Sequence, residues 1–494
     1  MKRRSDHVER MKFRRVKQPR LNQTQKLKIQ AMKRKLDAEC QFVREQTYFN
    51  PYARCGLGDG HMAIIGDVRE IPLLSNRASS AQEYRLSSLA QTGDIVVLQT
   101  SKNRDFEDYR EKILQLGSPN YLEIDHPTVE NLFSTPIRCL KDKKLYSELL
   151  KRVRSLRVET VMSHITTGTI WALARKLGAD TGQTMQVAGT LPTLSRLANN
   201  KLWFAKVVSE LFGPEAIPDE VPVYGAAALT GAVRSLARHN NKIVIKVPDS
   251  AGSAGNFVVS CSEIRDLDVH ATHQFLAELL APIEVELRFP LMVQVWQNKV
   301  LMSPSVQIWI PEAQDGSPII EGFFEQVLSG PNGRFSGAAP VVLPPELDKK
   351  MACQGMMLAQ LFQSLGYFGR CSFDSVISGD DLDSAKLLWI ECNGRWGGVS
   401  VPMTLMNNLF RNSQVPEFVI YYAPRATGPR QKFVEGSGKM KDLLWSPGRA
   451  SGVIFLTPSG FEIGEKMHFI SLASTIAQAQ QQVELTLRWL AEDR

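Results

Sequence analysis

Glu391, Asn393 and Arg395 close an apolar run, KLLWI, in the stretch ECNGRWGG. Charged groups beside a core are costly unless a partner compensates them. The i, i+2 spacing puts Glu391 and Asn393 on the same side of an extended chain. Asp374 sits in a second apolar run, SFDSVI. If the two runs are antiparallel neighbours, Asp374 faces the pair. Two carboxylates and an amide oxygen, with no His or Cys among them, form a hard donor set suited to Mg2+ bridging nucleotide phosphates. Arg395 adds a planar fork of hydrogen-bond donors beside them. The competing reading is two strand-end acids facing water, with Asn-Gly as a turn.

A second constellation lies upstream in IVIKVPDSAGSAGN. Apolar neighbours place Lys246 on a strand, and a buried ammonium needs an anion. The loop that follows holds Ser250, Gly252, Ser253 and Gly255. Such a loop can fold over phosphates and offer backbone N–H groups with no side chain in the way. It lacks G-K-[ST] and no helix follows, so it is not a Walker A loop. The plain alternative is a hairpin loop with a surface lysine. Lys201 opens a predicted helix over 199–213, with Asn199 or Asn200 as cap and Gly213-Pro214 as its stop.

These pieces, in this order, resemble the ATP-grasp superfamily over about residues 199–410. The most specific parts are IVIKVPDSAGSAGN and the pair FDSVI…WIECNGRWGG, whose last site fits the family's E-x-N-x-R pattern. The resemblance implies that Lys201 and Lys246 bind nucleotide phosphates, and that Asp374, Glu391 and Asn393 hold one or two Mg2+ ions, with Mn2+ as a substitute. It implies that Arg395 serves the phosphoryl group or an acylphosphate, with Arg370 as a second candidate against a surface role. PLMVQVWQN falls where the family has its adenine hinge, with Gln294 or Trp296 in place of the usual acid. A narrower resemblance, through SPSVQIWIP and FFEQVLSGPNGRFSGAAP, is to peptide ligases of the pheganomycin type. The fold implied is α/β and α+β and multidomain: a basic tail and amphipathic helix (1–46), a pre-ATP-grasp α/β domain (47–198), a two-lobed ATP-grasp domain (199–430) and a small C-terminal domain (431–494). The activity implied is an ATP-dependent ligase that activates the carboxylate of an amino acid or peptide as an acylphosphate and joins it to an amine. A kinase or carboxylase of the same fold is the alternative within enzymes.

The elements around these motifs follow a mixed α/β pattern. Strands are expected at 62–65, 94–99 and 120–124, and helices at 141–154 and about 346–365. RCGLGDG (54–60) precedes its apolar run, unlike a dinucleotide fingerprint, and reads as a domain-closing turn or a substrate-side wall. GVIFLT (452–457) and a long helix from about Ser474 end the chain.

At 43% hydrophobic and 22% charged, the 494 residues can bury sizeable cores. The net charge of +8 is uneven: residues 1–44 carry fifteen Lys/Arg and four Asp/Glu, leaving the remainder at −3. The basic tail is expected to be dispensable for turnover through residue 25, with Met11 or Met32 as alternative starts. An acidic partner suits it, and a non-catalytic nucleotide-binding protein with a nucleic-acid-binding arm is the rival reading. From Lys26 an apolar stripe (Ile29, Met32, Leu36, Cys40, Val43) predicts a helix. Seven scattered cysteines without a C-x-x-C pair read as reduced thiols in a cytoplasm. No apolar run is long enough for a membrane span. The eight histidines show no ligand spacing.

Overall fold

A computed structural model describes residues 16–40, 42–74, 80–124, 133–252, 254–284, 288–330, 333–411, 413–423, 431–462 and 466–492. The tail at 1–15 and Ser253 lie outside the described residues.

The first sheet has six strands in the order Ala53–Cys55, Met185–Val187, Val158–Ser163, His61–Ile65, Ile95–Leu98, Asn120–Glu123. Every pairing in it is parallel. Helices Lys143–Ser155 and Gly168–Thr181 cover one face around Trp171, Leu149 and Val161. Burial on both faces explains why Ile95–Leu98 reads as a continuous apolar run without alternation. RCGLGDG closes this sheet at the amino end of His61–Ile65. The amides of Asp59 and Gly60 donate to Glu159 Oε2 at 2.9 and 3.0 Å, and that of Gly58 to Thr160 Oγ1 at 2.8 Å. The chain's own carboxylate therefore fills this loop, in accord with a domain-closing turn.

The second sheet is antiparallel, in the order Glu220–Val223, Leu291–Val295, Lys242–Lys246, Asn256–Ser260. One face carries Val223, Ile243, Ile245, Leu291 and Val293 against helices Ala226–Ala237 and Val269–Leu280. Strand alternation sends Glu220, Gln294, Val244 and Lys246 to the opposite face.

The third sheet has nine antiparallel strands. Along its main path these are Val300–Met302, Gly369–Ser378, Pro304–Ile310, Ile319–Ser329, Arg334–Pro340, Glu417–Ala423, Met467–Ala473 and Gly452–Phe455; Lys386–Asn393 pairs with Gly369–Ser378. Helices Lys201–Phe212 and Pro345–Ser364 bury one of its faces around Phe204, Phe362 and Phe373. The strand at 452–455 and the terminal helix Ile476–Glu492 form as the sequence suggests, and the strand extends this same sheet.

Helix Gln23–Cys40 buries Ile29, Met32 and Leu36 in the core beneath Pro345–Ser364. Ahead of it, Gln18 Nε2 donates to Ile320 O at 2.7 Å and Gln18 Oε1 accepts from Ile320 N at 2.8 Å. The side-chain amide thus imitates a neighbouring strand. This corrects the expectation that the first 25 residues are an appendage: Gln18 and Leu21 belong to the folded body because the edge of Ile319–Ser329 needs a partner.

Candidate active site

Antiparallel pairing puts Asp374 directly opposite Glu391, and Ser372 opposite Asn393. Asn393 Nδ2 donates to Asp374 Oδ2 at 2.9 Å. Arg395 donates to Asn393 Oδ1 and to Asn199 Oδ1. Asn199 also accepts from Gly394 N and donates to Gly394 O, both at 3.1 Å. The Asn-Gly step is therefore tied to the segment ahead of helix Lys201–Phe212, while Asn200 caps that helix by accepting from Trp203 N at 3.0 Å. The two adjacent asparagines divide the roles that the sequence left open between them.

The cap aims the first helical side chain inward. Lys201 Nζ lies 3.0 Å from Glu391 Oε2 and donates to Ser250 O at 2.8 Å. Lys246 Nζ donates to Gln294 Oε1 at 2.6 Å, and Gln294 Nε2 donates to Glu220 Oε2 at 2.8 Å. A polar row, Glu220–Gln294–Lys246, thus crosses the inner face of the small sheet. The surface-lysine reading of Lys246 is excluded, since the side chain is buried.

The electrostatics follow from this crowding. Burial lowers the Lys246 pKa to about 8, against the opposing pull of Glu391, with Lys201 adding repulsion. Burial pushes the Glu391 carboxyl up, but Lys201 and Lys246 outweigh it and hold the group below its ordinary value. Asp374 is pushed up to about 7, first by burial and then by the Glu391 charge. Burial likewise lowers Arg395. Asp374 and Glu391 repel one another across a single register position, and a divalent cation would relieve that repulsion. Their oxygens and the Asn393 amide oxygen are hard donors, so the residues present fit Mg2+ completed by phosphate oxygens.

The loop after Lys246 is closed by Val247 N donating to Gly255 O at 2.8 Å and by Ser250 Oγ donating to Val247 O at 2.8 Å. A Cβ on Gly255 would lie 2.3 Å from Ser250 Oγ, so this closure requires glycine. Gly252 has φ +60° and open space around it. Ala251 packs on Val68 and Ile71 of the first sheet's connections, which brings the loop down over the site. Trp296 follows the strand Leu291–Val295 half-buried, its amide donating to Lys242 O at 3.1 Å.

Arg370 is neither at the surface nor free to turn toward the reacting groups. Its guanidinium pairs with Glu321, donates to Thr404 Oγ1 at 2.8 Å, and stands 5.3 Å from the ring centroids of both Trp309 and Trp396. Burial lowers its pKa to about 9. Two further residues are not legible in the sequence: Glu220, which accepts from Gln294 Nε2 at 2.8 Å, and Gln326, whose side chain works against the upward shift of Asp374. Both come from strands distant in sequence, so only pairing across the sheets reveals them.

Residues 83–179 match the family model of the pre ATP-grasp domain. Among solved structures, an ADP complex of N5-carboxyaminoimidazole ribonucleotide synthetase is 12% identical with a TM-score of 0.52, covering 89% of this chain and 99% of that one. An ATP complex of carboxyaminoimidazole ribonucleotide synthase from Aspergillus clavatus is 11% identical with a TM-score of 0.51, covering 88% and 99%. Biotin carboxylase from Campylobacter jejuni, in a β,γ-ATP complex, is 9% identical with a TM-score of 0.52, covering 87% and 91%. No curated protein sequence matches. At these identities the likeness is one of fold: a pre-ATP-grasp domain followed by an ATP-grasp architecture.

Proposed function

We propose that this ATP-grasp chain is an ATP-dependent carboxylate–amine ligase acting on amino acids or peptides. The observation that carries the reading is the convergence of Lys201, Lys246, Asp374, Glu391, Asn393 and Arg395 from two sheets and one helix onto one site. ATP supplies the phosphoryl group; Asp374, Glu391 and Asn393 would hold Mg2+, which would supply charge neutralisation. Lys201 and Lys246 hold the phosphate oxygens of the nucleotide, and the loop around Ser250, Gly252 and Gly255 covers them and keeps water out. The substrate carboxylate oxygen attacks the γ-phosphorus as the bond to ADP breaks. Arg395 stabilises the charge on the transferring group through its planar fork. The amine nitrogen then attacks the acyl carbon, loses a proton, and phosphate leaves. Arg370 acts one layer behind, fixing Trp396 and hence the loop that carries Arg395.

The test is an ADP-release screen with amino acids supplied in pairs, with mass spectrometry of the products. A product with the mass of the two substrates less one water, formed only with ATP and Mg2+, is the expected outcome. ADP release without an amide product would point to a carboxylase or kinase instead.

A further inference from the structure

A buried guanidinium with no counter-charge among the described residues stands between the parallel sheet and the large antiparallel sheet. Arg85, on helix Ser80–Ser87, is 4% exposed. Its Nη1 donates to Tyr422 Oη at 2.9 Å, and its guanidinium lies 5.7 Å from that ring's centroid. Among the described residues no carboxylate pairs with it, and its Nε has no hydrogen-bond partner. Arginine stays charged in proteins, and a buried charge calls for a partner.

Two imidazoles lie in the same region, each with an Nδ1 that has no partner among the described residues: His164, 5% exposed, and His468, 4% exposed. The His468 ring stacks on Tyr422 at 4.1 Å between centroids. His164 follows the strand Val158–Ser163, and its amide donates to Ile65 O at 3.2 Å. It therefore sits in the crevice between the carboxyl ends of His61–Ile65 and Val158–Ser163. Connections leave the parallel sheet in opposite directions there, which is where such sheets bind ligands. Burial, then Arg85 and Arg395, hold the His164 pKa well below its ordinary value.

This cluster grips the loop that carries Arg395. Trp396 N donates to His164 O at 3.0 Å, and Tyr422 Oη donates to Gly398 O at 2.6 Å. We propose that Arg85, with the Nδ1–H groups of His164 and His468, binds an anionic group on the amine-bearing acceptor. The activated carboxylate must lie on the Arg395 side of the 394–398 loop. An amino-acid acceptor carries a second carboxylate, which must be kept from the γ-phosphate, and a separate arginine near this loop holds it apart. A neutral imidazole can present a donor at Nδ1, and with an anion beside arginine that tautomer is favoured. The acceptor role rests on the ligase reading; the anion site does not.

The test is calorimetric titration of the full-length protein saturated with ADP and Mg2+, using L-alanine, L-alaninamide and O-phosphoethanolamine as probes. L-alanine should bind about tenfold tighter than its amide, and Arg85→Gln should remove that difference while Arg85→Lys keeps part of it. Tighter binding of O-phosphoethanolamine that also depends on Arg85 would support the site and assign it to a phosphate-bearing amine. Equal binding of alanine and its amide, with no Arg85-dependent binding of phosphoethanolamine, would overturn the proposal. If Arg85→Gln does not fold, His164→Ala is the second variant, expected to weaken anion binding and leave ADP affinity unchanged; unchanged anion binding overturns the proposal. Failure to bind ADP, titrated separately, would sink the ligase reading without touching the anion site.

Discussion

Asp374 and Glu391 occupy facing positions on adjacent antiparallel strands, and the two respond oppositely to the same surroundings: Asp374 is pushed up to about 7, while Glu391 is held below its ordinary value. The difference arises because Lys201 sits against Glu391 and leaves Asp374 the repulsion. A raised carboxyl keeps its proton in the native state while the unfolded chain ionises, so stability is lost as pH rises from about 4 to about 7. Asp374→Asn should therefore match the parent protein near pH 4 and exceed it by about 2 kcal/mol at pH 8, the figure being discounted for partial exposure. Mg2+ should raise the melting temperature of the parent and not of the variant. Equal Mg2+ responses would remove Asp374 from the metal site.

Glu391→Gln has a different signature. It leaves Lys201 and Lys246 buried without their carboxylate, so the nucleotide-free protein should lose about 3 kcal/mol. ADP should restore most of the loss, because phosphate oxygens replace the missing charge. Mg2+-dependent ADP formation should vanish. Retained turnover would contradict the metal assignment.

Burial lowers the Lys246 pKa to about 8, so its ammonium dominates well below that pH, is half lost at it and falls away above it. Nucleotide phosphates favour the charged form. ADP affinity should be level to about pH 8 and then fall by up to roughly tenfold per pH unit. Lys246→Arg, which stays charged, should flatten the profile if it binds at all. A parent protein with constant affinity from pH 7 to pH 10 would refute the role given to this lysine.

Arg370 should matter for stability before chemistry. Glu321 is 0% exposed and pairs with Arg370, so Arg370→Met takes the guanidinium away from a buried carboxylate and should cost about 3–5 kcal/mol in urea unfolding. Pairing it with Glu321→Gln should recover much of that loss. A single variant as stable as the parent would show that the pair does not act as a unit.

Removing residues 1–15 should leave melting temperature and turnover unchanged, whereas removing residues 1–25 should lower the melting temperature by several degrees. The longer cut takes away Gln18 and Leu21, which tie the chain to Ile320 and the core. If the shorter cut weakens RNA binding with a steep salt dependence, a nucleic-acid role for the tail gains support.

The sequence was most informative where chemistry forced a local pattern. Lys246 between apolar neighbours, the glycines after it, and Glu-x-Asn-x-Arg after a buried run are each visible within a few residues. The paired strands under Asp374 and Glu391 form as the spacing implies. What stayed hidden depends on distant partners. Glu220 joins the site only because its strand lies beside Leu291–Val295. Arg370 looks like an exposed strand start until Glu321 and two tryptophans enclose it. His164 and His468 are isolated in sequence and meet Arg85 only through the packing of two sheets. Strands Val158–Ser163 and Glu417–Ala423 are not legible in the sequence because short apolar runs do not by themselves separate strand from helix.

The order of strands in the largest sheet also bears on how the protein is made. Met467–Ala473 lies between Glu417–Ala423 and Gly452–Phe455, although it is the last of the three to be synthesised. During translation, both neighbours emerge with an edge that, among the described residues, this strand covers. A nascent chain stalled before Met467 would present these two strand edges at once, and His468 would be missing from its place beside Tyr422. Ribosome stalling or proteolytic loss at this point should therefore yield aggregation-prone chains instead of a slightly destabilised protein.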